Sequence, residues 1–394
     1  MNSPQRFSEL PEYAFPRLRT LLGDLSPGAD DPVEMTIGDP RHAPPAFVGE
    51  VIARHQAGFM SYPPNEGAPE LRNACAAWLQ RRYGYSADPE TDVLVLNGTR
   101  EGLYNVSMAL CPETKNGQRP VILTPNPFYQ VYAVASLSVG AEPVYVNATE
   151  ATGHLPDFGA LDPEILSRTT LAYICSPANP QGAVASMAYW RDLLALAERH
   201  DFKILADECY AEIYRGEPPT GIMEAVTETG ADPERVVAFH SLSKRSNLAG
   251  LRSGFAVSGP RNIARMKQLR AYAGAPLPLP LQMAAATVWD DEDHVVENRK
   301  LYAAKFAAAE RLLGNHAAIP EAGFFLWLPA PGGDGEAATL RLWSEAGVKV
   351  LPGAYLARDT ADGNPGTAFI RAALVAPLDD TVRGLTRLRD TLYT

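Results

Sequence analysis

Between residues 93 and 258 the sequence repeats one rhythm: a short apolar run, a polar or glycine-containing break, then a stretch with helical spacing. The runs cover 93–96, 121–124, 142–146, 171–175, 203–206, 236–239 and 254–258. They are too short for helices and too evenly apolar for a sheet with one wet face. We read them as strands buried on both sides. The stretches between them, clearest at 187–199, read as covering helices. The expected fold class is α/β, with a mainly parallel seven-stranded sheet.

Polar residues gather just after these runs: Gly98-Thr99-Arg100, Tyr129, Asn179, Asp207, Tyr210 and Lys244. In open α/β sheets, ligands sit beyond the carboxyl ends of the strands. Singly, each has a plainer explanation: Asn179 can form a turn, and Asp207 can cap the segment after its strand. Gly98-Thr99 opens a helix and offers free amides to an anion. No Gly-x-Gly-x-x-Gly fingerprint follows that strand, and no Gly-Lys-Ser/Thr loop occurs. A dinucleotide or ATP site is unsupported. The stretch 240–252 places Lys244 in a bend between two strands, with Ser241, Ser243 and Arg252 around it. Hydroxyls, amides and a guanidinium make a phosphate cradle. A lysine beside one can condense with a phosphorylated aldehyde. The alternative is a turn carrying a solvated Lys244-Arg245 pair.

Elsewhere, 15–22 reads as a short helix in an amino-terminal arm. A strand at 33–37 ends in the turn Gly38-Asp39-Pro40, which either meets a ligand or is a surface turn. Helices follow at 46–58 and 69–83, with Tyr62 on the exposed loop between them. After residue 281 the character changes: helix 293–313, strand 324–328, a loose surface loop at 332–336, helix 339–346, strands 348–351 and 368–374, and a closing helix 379–392. The expected division is 1–49 as an arm and part of a small α+β domain, 50–290 as the large domain, and 291–394 as the rest of the small one. Arg371 lies inside an apolar run and needs an anionic partner. That partner is a substrate carboxylate or an internal salt bridge.

The 394 residues are 46% hydrophobic, enough for two cores. A net charge of -11 and the lack of long basic runs argue against nucleic acid or an anionic membrane as partner. Cys75, Cys111, Cys175 and Cys209 show neither disulfide nor zinc spacing, and Cys175 and Cys209 are expected to be buried thiols. The cluster 290–294 reads as a solvated helix start, so no metal site is expected. The first seven residues contain no apolar signal core, and a cytoplasmic location is the expectation.

Taken in order, Ile37-Gly38-Asp39-Pro40, Tyr62 through Gly67, Asn97-Gly98-Thr99-Arg100-Glu101, Pro127-Phe128-Tyr129 with Tyr132, Ser176-Pro177-Ala178-Asn179-Pro180, Asp207-Glu208-Cys209-Tyr210, Ser241-Leu242-Ser243-Lys244, Gly250-Leu251-Arg252 and Arg371 resemble the class I and II aminotransferases of the pyridoxal-phosphate fold type I. The resemblance spans nearly the whole chain. The stretches 240–254, 125–130, 297–299, 321–324 and 351–359 are similar to bacterial N-succinyl-L,L-diaminopimelate aminotransferases. Gln181 and Ala273 depart from the pattern, which has threonine and histidine there.

The resemblance implies a homodimer with shared active sites and pyridoxal 5′-phosphate as cofactor. Lys244 would hold the coenzyme and move the substrate α-proton. Asp207 would face the pyridine nitrogen, Asn179 and Tyr210 the ring oxygen, and Tyr129 the ring face. Ser241, Ser243, Arg252 and the Gly98-Thr99-Arg100 amides would hold the phosphate, joined by Tyr62 from the partner subunit. Gly38 and Arg371, helped by Asn179, would take the substrate carboxylate. The implied reaction is amino transfer between N-succinyl-L,L-2,6-diaminopimelate and 2-oxoglutarate, with Arg41, Arg245 and Arg270 as candidates for the distal anions. The alternatives are relatives acting on acetylated diaminopimelate, ornithine, aspartate or aromatic amino acids. A fold-type-I lyase or synthase, or a coenzyme-binding regulator, stands further off.

Overall fold

The computed structural model describes residues 5–8, 10 and 12–394. Part of the expected arm, and part of the stretch read as lacking a signal core, lie outside the described residues. The strands are β1 (Val33–Glu34), β2 (Val93–Leu96), β3 (Val121–Asn126), β4 (Glu142–Asn147), β5 (Thr169–Cys175), β6 (Lys203–Asp207), β7 (Val236–Ser241), β8 (Gly254–Ser258), β9 (Phe325–Pro329), β10 (Val348–Lys349), β11 (Leu351–Pro352) and β12 (Phe369–Ala373). Seven of them form one sheet in the order β2-β8-β7-β6-β5-β3-β4. Only β8 runs antiparallel to its neighbours.

Alternation along each strand divides its side chains between two cores. Val93, Val121, Ile204, Val236 and Phe255 meet the helices Pro69–Tyr83, Met187–His200 and Leu279–Asp290. Leu94, Ile122, Leu205, Val237 and Ala256 meet Thr99–Leu110, Gln130–Ser138 and Pro260–Ala273 on the other face. Local chemistry sets the ends of these helices. Pro69 opens its helix, and Gly84, left-handed at φ 65°, closes it with its amide on the Gln80 carbonyl. Ser186 caps the next helix by accepting from the Tyr189 amide.

A third core packs the antiparallel sheet β11-β12-β9 against helices Asp293–Leu313 and Leu378–Leu392. Val33 and Met35 enter this core, and β1 pairs in parallel with β10. The first strand of the chain is therefore hydrogen-bonded to a segment more than three hundred residues later.

Several local expectations need correction. The single strand expected at 348–351 is two, β10 and β11, which belong to different sheets. The loop expected at 332–336 contains the start of the helix Gly335–Ala346, capped by the Asp334 carboxylate on the Ala337 amide. Ala338, Thr339 and Leu342 bury one face of that helix. Helices Pro260–Ala273 and Leu279–Asp290 complete the cover of the large sheet, although apolar periodicity alone does not announce them.

Candidate active site

A cavity of about 360 Å³ opens at the carboxyl ends of the parallel strands. Lys244 enters it from the short helix Leu242–Arg245, which lies in the connection between the antiparallel neighbours β7 and β8. Ser241 starts that helix, its hydroxyl accepting from the Ser243 amide at 3.1 Å. The Lys244 ammonium donates to the Gly38 carbonyl and lies 5.5 Å from the Phe324 ring centre. Burial pulls its proton affinity below that of an ordinary lysine, and Arg371 adds to the effect; Cys209, Asp39 and Asp207 oppose it. Such an amine is readier to act as a nucleophile or base.

Asp207 ends β6 and is 5% exposed. Tyr132 donates its hydroxyl to one carboxylate oxygen at 2.6 Å, and the Cys209 amide donates to the other at 3.3 Å. Burial raises the carboxyl above its usual range, while these hydrogen bonds pull it down. Around the rim, Thr99, Arg100, Ser241, Ser243 and Arg252 gather at one end of the cavity. Arg100 Nε donates to the Tyr129 hydroxyl at 2.7 Å. Gly98 itself does not line the cavity. A Cβ there would sit 2.2 Å from Arg252 Nη2, so glycine is what lets the guanidinium close on the start of the helix.

Arg371, only 4% exposed, stands on β12 and lines the same cavity. Its Nη1 donates to Asn179 Oδ1 at 3.0 Å and its Nη2 to the Thr36 carbonyl at 2.6 Å. The guanidinium lies 4.1 Å from the Phe325 ring centre. Among the described residues no carboxylate pairs with it, and Nε has no partner. Burial lowers its proton affinity to about 10, still well above neutrality. The salt-bridge alternative is thereby removed: a buried cation faces a cavity with only neutral oxygens to hold it. Tyr210 stands beside it, edge-on to Phe324 and Phe325 at 5.3 and 6.0 Å.

A basic cradle, a lysine inclined to lose its proton, a buried carboxylate and an anion-seeking arginine thus share one chamber. The family model for aminotransferase class I and II matches residues 30–382. This chain belongs to that family. It is 30% identical to an LL-diaminopimelate aminotransferase of Dehalococcoides mccartyi, covering 98% of both chains. It is also 30% identical to one of Moorella thermoacetica, covering 100% of this chain and 99% of that one. Among solved structures, an aminotransferase from Neisseria meningitidis superposes with TM-score 0.94 at 36% identity, covering 98% of this chain and 99% of that chain. The family is pyridoxal-phosphate-dependent, and so is this aminotransferase. The donor set fits that coenzyme: donors for a phosphate at one end, a carboxylate deep in the wall, and an amine between them.

The structure brings Gly38, Thr99, Arg100, Tyr129, Asn179, Asp207, Tyr210, Ser241, Ser243, Lys244, Arg252 and Arg371 to this aminotransferase's cavity. Tyr62 is fully exposed and stands away from the cavity of its own chain. The arginines expected to read the distal anions are elsewhere. Arg245, buried, donates to the Val288 and Asp291 carbonyls and to Glu292, and lies over Trp289. The cluster 290–294 is therefore an anchor for Arg245 rather than a merely solvated helix start. Arg270 is buried against the Val95 carbonyl and Glu101. Arg41 is exposed and does not line the cavity. Cys175 and Cys209 are only half-buried and line the cavity, Cys209 Sγ lying 3.1 Å from the Thr99 hydroxyl. Sequence reasoning gave no role to Tyr132 or Phe325. Spacing offered a signal for the first, one helical turn after Tyr129; nothing local marks the second.

Proposed function

We propose that this aminotransferase moves an amino group between N-succinyl-L,L-2,6-diaminopimelate and 2-oxoglutarate. The observation that carries amino-acid recognition is Arg371, buried in the cavity wall without a carboxylate of its own. A bound α-carboxylate would supply the missing partner for its guanidinium. The diaminopimelate skeleton is supported by the names of the curated relatives, and the succinyl group by the likeness of the stretches around Lys244 and 351–359. A second reading, the unacylated diamino acid, is favoured by those same relatives, which are named for LL-diaminopimelate.

When bound, the coenzyme supplies an aldehyde that carries the amino group and a ring that accepts electron density. Lys244 Nζ, poised by burial, would take the proton from the substrate α-carbon. Asp207, oriented by Tyr132, would keep a proton on the ring nitrogen. Asn179 and Tyr210 would hydrogen-bond the ring oxygen, and Tyr129 would cover the ring face. Ser241, Ser243, Arg252 and the amides of Gly98, Thr99 and Arg100 would hold the phosphate, with Tyr62 reaching in from the partner subunit of a homodimer. Gly38 and Asn179 flank the α-carboxylate on Arg371. The proposed enzyme is cytoplasmic, with its large domain at 50–290 and its small domain built from 1–49 and 291–394. The test is kcat/KM for succinylated diaminopimelate, free LL-diaminopimelate, N-acetylornithine, aspartate and phenylalanine, each with 2-oxoglutarate. The succinylated donor should lead. A lead for any other replaces the substrate and leaves the aminotransferase assignment standing.

A further inference from the structure

With Arg41, Arg245 and Arg270 away from the cavity, what receives the distal carboxylate of a dicarboxylic substrate is open. Besides Lys244, the basic side chains lining the chamber are Arg100, Arg252, Arg371 and His154. The first two belong to the phosphate end, and Arg371 takes the α-carboxylate in the reading above. His154 follows a short helical turn, Glu150–Thr152, and its amide closes back on the Thr149 carbonyl at 2.7 Å. Its backbone is left-handed, at φ 59°, and it lines the cavity. Its Nδ1 is buried without a hydrogen-bond partner among the described residues. Beside it, Gln181 is 7% exposed, and its one described hydrogen bond is a long 3.4 Å contact from Nε2 to the Ala148 carbonyl. Ala148 lines the chamber too, so both side chains stand at the same place in the wall. Gln181 also lies two residues beyond Asn179, the residue that touches Arg371. Arg371, Asn179, His154 and Gln181 all line the one chamber.

We infer that His154 and Gln181 form the subsite for the distal carboxylate of the dicarboxylic substrate, 2-oxoglutarate or glutamate. Both are donors with unfilled capacity, and an imidazole takes up a proton when an anion comes beside it. Burial keeps the free ring below its usual proton affinity, opposed by Glu150 and the Ala148 backbone. It is therefore inclined to be neutral until an anion arrives. An imidazole that charges on demand, beside an amide that stays neutral, accommodates acyl chains of different length and polarity better than a fixed guanidinium does.

The inference rests on the reading of 2-oxoglutarate as amino acceptor. Its test compares 2-oxoglutarate with 2-oxopentanoate, which has the same chain length and no distal carboxylate. The wild type should prefer the diacid. In His154→Asn, chosen because asparagine tolerates the left-handed backbone, and in Gln181→Thr, the ratio of kcat/KM for the two acids should fall roughly tenfold to a hundredfold. Coenzyme absorbance shows that each variant is folded and loaded. A preference retained in both variants, or absent from the wild type, overturns the inference. If the wild type uses neither acid, it is the acceptor reading that fails. The subsite is then read by spectral titration of the holoenzyme with glutarate against pentanoate. The variants must weaken glutarate selectively, and equal weakening of both acids overturns the subsite.

Discussion

Three pairs of neighbours in the sequence divide between two regions of the molecule. Asp207, Ser241 and Lys244 face the cavity, whereas Glu208, His240 and Arg245 turn to the compartment behind the sheet. The second set is packed into the fold away from the cavity. Glu208 accepts from the Tyr83 hydroxyl at 3.0 Å and the Ile222 amide at 2.7 Å. His240 packs edge-on to Trp78 at 4.9 Å, and burial drops its proton affinity to about 3, so it stays neutral. Arg245 spends its donors on two carbonyls and Glu292. The cavity set instead borders an open chamber, beside Arg371, whose buried guanidinium has no carboxylate partner and whose Nε has no partner at all among the described residues. Buried polar groups cost stability unless satisfied, so capacity left open in a cavity marks a place where a ligand completes the set. Each region has a carboxylate and a basic side chain; what tells them apart is whether those groups border the cavity or pack behind the sheet.

The largest effect expected from breaking this contrast is at Lys244. Lys244→Ala should retain bound coenzyme, seen by its absorbance, and lose at least ~10,000-fold in turnover. Normal turnover would remove the lysine from the chemistry. Next comes Arg371→Gln, for which kcat/KM with any α-amino acid should fall roughly a hundredfold or more. Its melting temperature should fall only slightly, because no internal carboxylate is left stranded and only the neutral Asn179 and Thr36 oxygens lose a donor. A large loss of stability with intact kinetics would make Arg371 structural instead.

Arg245→Met should do the opposite. It leaves the Val288 and Asp291 carbonyls unmatched, at a cost of about 2 kcal/mol in unfolding free energy measured by denaturant titration. The ratio of activities with dicarboxylic and monocarboxylic acceptors should stay as in the wild type. A changed ratio would return Arg245 to the substrate site. The last effect concerns Glu208, whose carboxyl burial pushes from 4.5 up to about 7. The folded protein then keeps a proton that the unfolded chain has released. Stability from this group is full below 4.5 and is lost as pH rises through 7. Unfolding free energy measured from pH 5 to 8 should decline more steeply in the wild type than in Glu208→Gln. Parallel slopes would mean that Glu208 ionises without difficulty behind the sheet.

Much of the seven-stranded sheet and its covering helices was legible in the sequence because their determinants are local. Short apolar runs such as Val93–Leu96 and Gly254–Ser258 match the strands residue for residue. Pro69 with Gly84, and the capping position of Ser186, mark helix ends within a few residues of where the chain turns. The polar breaks after the strands were legible for the same reason: a parallel sheet delivers its strand ends to one edge. Facing direction was less legible. Lys244 and Arg245 are adjacent, and only the packing of helix Leu279–Asp290 and the start of Asp293–Leu313 draws Arg245 away from the cavity.

By itself, the sequence determined the alternation of strands and helices, the place of the polar breaks and the lysine-bearing bend, all of which follow from propensity and period within a dozen residues. Tertiary structure alone decided what each charged side chain meets. Arg371 finds Asn179 across 192 positions and Thr36 across 335. Whether those partners are neutral oxygens or a carboxylate has no trace in the residues beside it. The physical reason is that hydrogen bonding and charge pairing act through space over a few ångströms, while the chain that brings the partners together is hundreds of residues long.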